Sequence, residues 1–481
     1  WSHVGIVLYL AEFDRFLLLE SVEDMGVRFA PLSKYMKKGR KRSPYRGRMV
    51  VARCSEMTPE KIAALDDTLR AGLYGYSSIY AKYRFLTGKR FLRVDRDGKP
   101  YARENLEASN PEAQAEFAKA VADTAKALGD HPAWDAALLN SEVRDSSNPS
   151  FGQVEPANFR KFAGYDIPAS ITGKYPASYK NTAGFPWDRV IRDNTPDLVF
   201  LRWFWKEGDG WNPMHTLLSE TLHQYIKHHF FTFYDPVVRV PPVWGSGGNA
   251  DVVSQWTYVY PDPIKIGQAT DEVIAMAQGN PGQKVMSMTQ AIWYRSQTAP
   301  KEVKVANPPE WMAREPEAQF VTIAPDALRE ALWSKISRRL DGIMYHGSGS
   351  LIGPEKHSYR YTNPDSKLVL KELAGTVIKP LGPVLTKVPE RVPEVGILES
   401  FTGNLYAPQH FSMGWSNRWA ADLHLALQWA HFQPVVFYEE HLLDGKLEAP
   451  PKVLFIPGAE VLTDKVLTKL RELQNQGTIL V

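Results

Sequence analysis

Short apolar or β-branched runs alternate along the chain with helical patterns of hydrophobic residues. Most of the runs are nearly continuous, as expected for parallel strands that are covered on both faces. Strands that alternate with helices are typical of βα units. We therefore predict an α/β fold, a (β/α)8 TIM barrel over residues 1–390. The eight predicted strands are 4–10, 49–54, 73–80, 134–140, 229–235, 251–258, 284–290 and 341–346.

Helix boundaries are marked by capping residues. Asn110-Pro111-Glu112 combines an N-cap, a proline in the first turn and an acidic residue, and Gly129 can close the same helix. A second helix is introduced by Pro325-Asp326, and a third opens at Asn212-Pro213. The apolar stripes of the first two helices predict faces that pack on the core; they are Phe117, Val121, Ala125 and Leu128, and Leu328, Leu332, Ile336 and Leu340.

A long excursion, residues 141–212, separates the fourth and fifth predicted strands. It is dense in Pro, Gly, Asn and aromatic residues. Loops of this length in a compact domain are usually functional. We therefore expect residues 141–212 to form one wall of a cleft at the carboxyl ends of the barrel strands.

A second domain is predicted over residues 391–481, after an outer helix at 363–388 that Pro380 interrupts. Its segments alternate between strand and helix, which is typical of a doubly wound sheet. The pattern predicts an incomplete flavodoxin-like α/β domain, with the boundary near 389–393. The strands are 394–400, 434–440, 452–458 and 478–481, and the helices are 419–430 and 463–474.

Composition excludes several classes of partner. The 481 residues are too many for one ordinary core, and 44% hydrophobic and 23% charged residues are normal for a soluble globular protein. The net charge of +3 is small against 57 basic and 54 acidic side chains, so neither nucleic acid nor an anionic membrane is expected as a partner. No stretch approaches the roughly 20 apolar residues of a membrane span. The basic run 37–42 reads as a solvated loop.

Cys54 is the single cysteine, so the chain can form neither an internal disulfide nor a cysteine metal cluster. The chain begins at Trp1 rather than Met, which is consistent with a removed signal peptide or with a start inside a longer protein. Localisation stays open, with a secreted or periplasmic site slightly favoured over the cytoplasm.

Candidate catalytic residues lie where predicted strands end, because functional side chains of such barrels sit at the carboxyl ends of the strands. Glycosidic cleavage needs a carboxylic acid that protonates the departing oxygen and a second carboxylate across the bond. Glu142 follows the fourth strand and fits the acid, although a salt bridge to Arg144 is an alternative role. Further strand-end candidates are Asp235, Trp256, Gln290, Trp293 and His346.

The fourth-strand end, the excursion, the segment 200–205 (Phe-Leu-Arg-Trp-Phe-Trp) and the smaller α/β domain together resemble the family-42 β-galactosidases. That resemblance implies a retaining glycoside hydrolase in which Glu142 matches the acid/base and the nucleophile ends the seventh strand. The family has Asn immediately before the acid/base Glu, whereas this chain has Ser141 there and Asn140 one residue earlier. Either residue is therefore a candidate for the contact to the sugar 2-hydroxyl.

The seventh strand departs from this pattern, because Gln290 occupies the nucleophile position and no carboxylate is near it. A neutral amide cannot form a covalent glycosyl intermediate. Three explanations stay open. Gln290 replaces a native Glu in a variant made to trap substrate; or the second carboxylate is Asp235, Glu207 or Asp209; or the protein binds glycans without cleaving them.

Other residues have two possible roles each. Glu207, Asp209 and Trp211 are either substrate contacts or ordinary turn residues before a helix. Trp256 and Trp293 are either sugar-stacking walls or core, and His346 is a candidate for a hydroxyl contact. His223, His228 and His229 lack the spacing that places two imidazoles on one helix face, so no metal site is predicted. No cofactor is predicted.

The C-terminal segment resembles the trimerisation domain of these β-galactosidases, whose fold is like that of class I glutamine amidotransferases. Amidotransferase activity is not expected, since its nucleophile is a cysteine and this segment has none. The resemblance implies a homotrimer or another homo-oligomer. The sequence thus predicts a hydrolase of a β-linked, galactose-containing oligo- or polysaccharide, with a catalytically silent glycan-binding barrel as the alternative.

Overall fold

The structure is a computed structural model that describes part of the chain. The described residues are 5–10, 15–22, 26–31, 75–78, 90–130, 134–144, 147–235, 243–257, 263–294, 307, 320–346, 365–389, 392, 394–407, 418–447 and 449–481. For residues 5–10, 15–22, 26–31 and 75–78 the description covers the backbone alone.

The largest sheet is a curled, parallel half-barrel. Its spatial order is β13-β10-β8-β7-β5-β4, with β9 also on β10, and every pairing is parallel. The third to eighth predicted strands therefore neighbour one another in chain order, which confirms the predicted barrel architecture. The predicted strand 49–54 lies outside the described residues. The strands are β4 (Gly75–Ser78), β5 (Trp134–Leu138), β7 (Phe231–Tyr234), β8 (Val252–Val253), β9 (Trp256–Thr257), β10 (Lys284–Gln290) and β13 (Gly342–His346).

The first predicted strand has a different role from the one expected. The segment Gly5–Leu10 (β1) pairs antiparallel with Arg15–Val22 (β2), which pairs antiparallel with Gly26–Pro31 (β3). These three strands form a separate sheet, so β1 is not a strand of the half-barrel. The reason lies in the connections: segments of three or four residues close hairpins, whereas a parallel crossover needs a dozen residues or more.

Alternate residues of the half-barrel strands face opposite sides. Ala136, Leu138, Phe233 and Val252 form one apolar cluster inside the curl, with Met286 and Met344 packed against it. Their chain neighbours, including Ala137, Leu139, Tyr234 and Val253, belong to the main core between sheet and helices. This alternation sets which side chains reach the interior at the strand ends.

Helices cover the outer face of the half-barrel. Asn110 caps the first of them, because its side chain accepts from the backbone N–H groups of Glu112 and Ala113, and Gly129 follows at the C-cap. These predicted boundaries are confirmed. The covering helices are α1 (Pro111–Leu128), α4 (Trp211–Tyr225), α5 (Ile266–Ala277), α6 (Pro325–Ile336), α7 (Asp365–Leu373) and α8 (Lys379–Leu385). A short 3₁₀ turn, Pro263–Lys265, precedes α5. A π-helical turn, Ala374–Ile378, ends two residues before Pro380, which lacks an N–H group.

The excursion 141–212 is a folded layer rather than a loop. It contains α2 (Val154–Ala163), α3 (Pro196–Trp203), the 3₁₀ turn Tyr179–Asn181, the π-helical turn Phe204–Gly208 and the short strand β6 (Val190–Ile191). Its aromatic residues form a second core that includes Phe159, Phe200 and Trp205. Phe401, Leu405 and Val461 of the C-terminal segment complete this core, so the layer also packs on that segment.

The C-terminal residues form a parallel four-stranded sheet in the order β15-β14-β16-β18. The predicted alternation of strands and helices is confirmed; the helices α9 and α11 and the pairing of β17 with β6 were not predicted. The strands are β14 (Val395–Glu399), β15 (Val435–Tyr438), β16 (Val453–Phe455), β17 (Leu462–Thr463) and β18 (Ile479–Leu480), and the helices are α9 (Phe401–Tyr406), α10 (Arg418–Trp429), α11 (Glu439–Leu443) and α12 (Asp464–Asn475). An antiparallel pair of strands, β11 (Ile292–Tyr294) and β12 (Phe320–Thr322), follows β10. Among the described helices, none is both long and apolar enough to cross a bilayer.

Candidate active site

The carboxyl ends of the parallel strands bring the candidate residues to one edge of the half-barrel. Leu138 of β5 is in register with Phe233 of β7, and the Leu139 N–H donates to the Phe233 carbonyl at 2.9 Å. Continued by two residues, this register places Asn140 beside Asp235. On the next strand, the Ser254 N–H donates to the Tyr234 carbonyl at 3.0 Å. Three adjacent strand ends therefore present polar residues side by side.

Alternation assigns Asn140, Asp235 and Ser254 to the inner face, because Leu139, Tyr234 and Val253 belong to the outer core. All three polar residues are buried. Within the described part of the chain, the Asn140 Nδ2 and the Ser254 Oγ have no hydrogen-bond partner. Buried polar atoms are normally satisfied, so these two are candidates for contacts to a ligand or to water.

Glu142 lies two residues beyond Asn140 and is half-buried, whereas Ser141 and Val143 on either side of it are buried. Its backbone has φ +55°, in the left-handed region that residues with a Cβ rarely adopt. Non-glycine residues in this region are concentrated at functional sites. Arg144 does not form the salt bridge to Glu142 that the sequence offered as an alternative. Its guanidinium donates instead to Asp209 Oδ2 at 2.7 Å.

The seventh and eighth strands of the prediction contribute Gln290 and His346, which are paired in the β10–β13 register. His346 is half-buried, and burial lowers the pKa of its imidazole, which is therefore neutral at pH 7 and able to bond a hydroxyl. For Trp256, Gln290 and Trp293 the structure describes the backbone, and their side chains lie outside the description. Trp256 is in register with Met288, two residues before Gln290.

The residues of the segment 207–211 do not share one environment. Asp209 is fully buried and accepts from Arg144 and from the Trp211 N–H. Trp211 is also buried; its Nε1 donates to Ser147 Oγ at 3.2 Å, and its ring belongs to the main core. Glu207 is exposed on the π-helical turn. Asp209 and Trp211 thus have partners within the protein.

Two buried groups near the site were not found from the sequence. Arg93 pairs with Glu155 at 2.7 Å, and both side chains are fully buried. Burial raises the pKa of Glu155 to about 8, although Arg93 opposes the shift. His215 of α4 lies 4.2 Å from the Tyr234 ring, and burial lowers its pKa to about 3. No local spacing signals these residues, because their partners are far away along the chain.

The histidines excluded as metal ligands are placed separately. His223 pairs with Asp251 at 2.7 Å, and the His228 ring contacts the Trp134 carbonyl at 3.0 Å. Both contacts lie near the amino ends of the strands, away from Glu142. Within the part of the chain that the structure describes, no group of three or more His, Cys, Asp or Glu side chains is arranged to hold a metal ion.

A cavity of about 360 Å³ lies elsewhere, between α5, the end of α6 and the start of β15. Several of its polar lining residues are bonded to other protein groups: Arg338 to Asp271, and Gln433 to the Ser337 carbonyl. It adjoins the amino end of β13, whereas catalysis in such barrels occurs at the carboxyl ends. The strand-end cluster around Glu142 is therefore the candidate active site.

Comparison with solved structures identifies the fold. The chain superimposes on the β-galactosidase of the psychrophilic Marinomonas ef1 with a TM-score of 0.50 and 13% identity, covering 87% of this chain and 67% of that one. It matches the β-galactosidase of the Antarctic haloarchaeon Halorubrum lacusprofundi with a TM-score of 0.51 and 12% identity, covering 85% and 64%. No protein-family model and no curated protein sequence matches the chain.

These matches confirm, at the level of fold, the predicted resemblance to β-galactosidases. The chain spans about two thirds of the length of both enzymes. Because identity is only 12–13%, the likeness extends to the fold and not to individual residues.

Proposed function

We propose that this protein is a glycoside hydrolase that cleaves a β-linked, galactose-containing glycan, with Glu142 as the proton donor. The observation that carries the proposal is the strand-end arrangement: Glu142 is half-buried, and it follows a buried Asn140 whose Nδ2 has no partner among the described residues. The fold shared with two β-galactosidases supports the same class of reaction.

In the proposed reaction the Glu142 carboxyl gives its proton to the glycosidic oxygen as the bond from that oxygen to the anomeric carbon breaks. The leaving sugar departs as a neutral alcohol, and the positive charge that develops on the ring needs a carboxylate nearby. Asn140 is suited to hold a sugar hydroxyl, because its Nδ2 is a donor that has no partner in the described part of the chain.

Asp235 is our proposed second carboxylate. Of the three candidates, Asp209 is committed to Arg144 and Glu207 lies on the surface. Asp235 follows β7, the strand next to β5, and alternation puts it on the inner face. It can take a proton from an attacking water, giving inversion, or attack the anomeric carbon itself, giving retention. The separation of the two carboxyl groups decides which.

A second candidate function is glycan binding without cleavage. The observation in its favour is Gln290, since residues 284–294 contain no Asp or Glu where the resemblance requires a nucleophile.

We also propose that the protein forms a homo-oligomer through its C-terminal domain. Light scattering on the purified chain tests that point independently of activity.

The decisive experiment compares the wild type, Glu142→Gln and Glu330→Gln on phenyl β-D-galactoside and on a panel of β-linked oligosaccharides. We expect Glu142→Gln to lower turnover by about 10²–10⁴-fold, the usual contribution of a general acid. Glu330 is an exposed residue of α6, so its variant is the matched control. Wild-type turnover in Glu142→Gln removes the proposed role. Calorimetric binding of a glycan that is never cleaved favours the second candidate function.

A further inference from the structure

The backbone at Glu142 requires an explanation. With φ +55° it adopts a conformation that glycine tolerates and that a glutamate adopts only when its surroundings impose it. The residues directly after it, Val143 and Arg144, are both buried. The contacts that hold Val143 and Arg144 in place therefore also constrain the backbone of Glu142.

Arg144 is held by three acceptors. Its Nε donates to Asp209 Oδ2 at 2.7 Å, its Nη1 donates to Ser246 Oγ at 2.8 Å, and its Nη2 donates to the Trp205 carbonyl. These partners belong to the excursion and to the segment after β7. The planar guanidinium can donate to all three acceptors at once, whereas a lysine ammonium cannot reproduce this planar arrangement of donors.

A separate contact holds Val143. The Asn105 Nδ2 donates to the Val143 carbonyl at 2.7 Å, and Asn105 belongs to the segment between β4 and α1. The turn after Glu142 is thus bound from three parts of the chain. Because buried groups of this kind have a single satisfied arrangement, the turn has little freedom.

Asp209, which accepts the hydrogen bond from the Arg144 Nε, is itself held in place. Asp209 Oδ1 accepts from the Trp211 N–H at 3.1 Å, and the Asp209 carbonyl accepts from Arg93. Gly210 follows with φ +78°, and a Cβ there would lie 2.0 Å from the Ser109 nitrogen, so only glycine fits. Asp209 consequently has one position, and Arg144 is anchored to it.

We infer that Arg144 is a positioning residue, which sets the place of the Glu142 carboxyl through its buried pair with Asp209. The inference rests on the proposed role of Glu142 as proton donor. It assigns Asp209 to the support of the acid rather than to contact with the substrate. A purely structural role for Arg144 would affect stability and leave the proton transfer of the folded enzyme unchanged.

The leaving group distinguishes these roles. Phenyl β-D-galactoside needs its oxygen protonated, whereas 2,4-dinitrophenyl β-D-galactoside loses a leaving group that departs without help. We expect Arg144→Lys and Asp209→Asn to lower kcat/KM, which reports the bond-breaking step alone, by about 10²-fold on the phenyl substrate, with much less loss of kcat/KM on the dinitrophenyl substrate. The control is Arg338→Lys, which alters another buried pair of the same kind, 2.7 Å from Asp271, at the amino end of β13.

The outcomes separate the two proposals. If Glu142→Gln keeps full turnover, the proposed function fails. If Glu142→Gln loses turnover but Arg144→Lys and Asp209→Asn behave like Arg338→Lys, or lose equally on both substrates, the positioning role is overturned and the function stands. Crystal structures of Arg144→Lys and Asp209→Asn add a test that needs no activity. We expect residue 142 to leave its left-handed conformation in both, and an unchanged turn at 141–144 overturns the inference.

Discussion

The ammonium of Lys335 lies 5.7 Å from the centre of the Tyr345 ring, behind the carboxyl ends of β10 and β13. It is fully buried and donates to the Ser287 carbonyl at 3.2 Å and to the Thr289 hydroxyl. No carboxylate pairs with it among the residues that the structure describes. Burial therefore lowers the pKa of Lys335 well below its usual value, and burial also raises the pKa of Tyr345 to about 12.

This buried amine predicts an unusual dependence of stability on pH. The unfolded chain holds the Lys335 proton up to about pH 10.4, whereas the folded chain releases it at lower pH. Between the folded and the unfolded pKa of Lys335, its contribution to the free energy of unfolding consequently becomes more favourable as pH rises. We expect Lys335→Met to stabilise the protein at pH 7, on the order of 1 kcal/mol, and to lose this advantage near pH 10.5.

Urea unfolding of Lys335→Met and wild type at pH 7 and pH 10.5 measures the effect. Lys371→Met, at an exposed position of α7, is the matched control and is expected to show no such pH dependence. A Lys335→Met protein that is less stable than wild type at pH 7 contradicts the prediction, and would mean that the hydrogen bonds to Ser287 and Thr289 outweigh the burial of the amine.

Much of the fold could be predicted because its signals are local. The strand 284–290 was predicted with the bounds that it has, since Val285, Met286, Met288 and Thr289 form a nearly continuous apolar or β-branched run. The first helix was predicted because Asn110 and Pro111 mark its start within a single turn. The sheet of β1, β2 and β3 was not predicted, because one apolar run does not show whether its partner is parallel or antiparallel.

The site could be predicted only in part. The position of Glu142 at a strand end follows from the order of strands, but its left-handed backbone depends on Asn105 and Arg144, whose contacts cross the fold. Asp209 illustrates the same limit: a Gly-Asp-Gly turn is visible in the sequence, whereas a partner 65 residues earlier is not. Pairings between distant segments need the fold before they can be assigned.

A second pH-dependent prediction concerns His223 and Asp251. The hydrogen bond to Asp251 raises the pKa of His223. For Asp251, burial acts upward, but the bonds from His223 and Thr232 dominate and lower its pKa. The His223 contribution is present below about pH 6.5 and is lost as pH rises through its folded pKa; the Asp251 contribution is present above about pH 3.9 and is lost as pH falls through its folded pKa.

We therefore expect His223→Gln to destabilise the protein more at pH 5 than at pH 8. The two side chains are 38% and 36% exposed, so the difference should stay below about 1 kcal/mol. Thermal unfolding of His223→Gln and of His431→Gln at both pH values checks this, since His431 is exposed and makes no described ion pair. An equal loss at pH 5 and pH 8 would show that the pair is not charged in the folded state.

Asp235→Asn tests the second carboxylate. If Asp235 acts on the water or on the anomeric carbon, the amide should lower turnover of both phenyl and 2,4-dinitrophenyl β-D-galactoside, by about 10²-fold or more, because this role is needed whatever the leaving group. Proton NMR of the first-formed sugar then assigns inversion or retention to the wild type. Asp326→Asn, at a position 97% exposed, is the control. Unchanged turnover in Asp235→Asn would show that Asp235 is not the second carboxylate.

Gln290→Glu tests the meaning of the amide at the end of β10. Position 290 is in register with His346, at the same edge of the half-barrel as Asn140 and Glu142. If this edge is the active site of a retaining barrel, a carboxylate at 290 supplies the missing nucleophile, and we expect turnover of phenyl β-D-galactoside to rise at least about tenfold with retention of configuration. Gln474→Glu, at an exposed position of α12, is the control for added charge. If Gln290→Glu gains nothing while wild type already cleaves, Asp235 is sufficient as the second carboxylate; if neither cleaves but both bind glycan, the barrel is a binding protein.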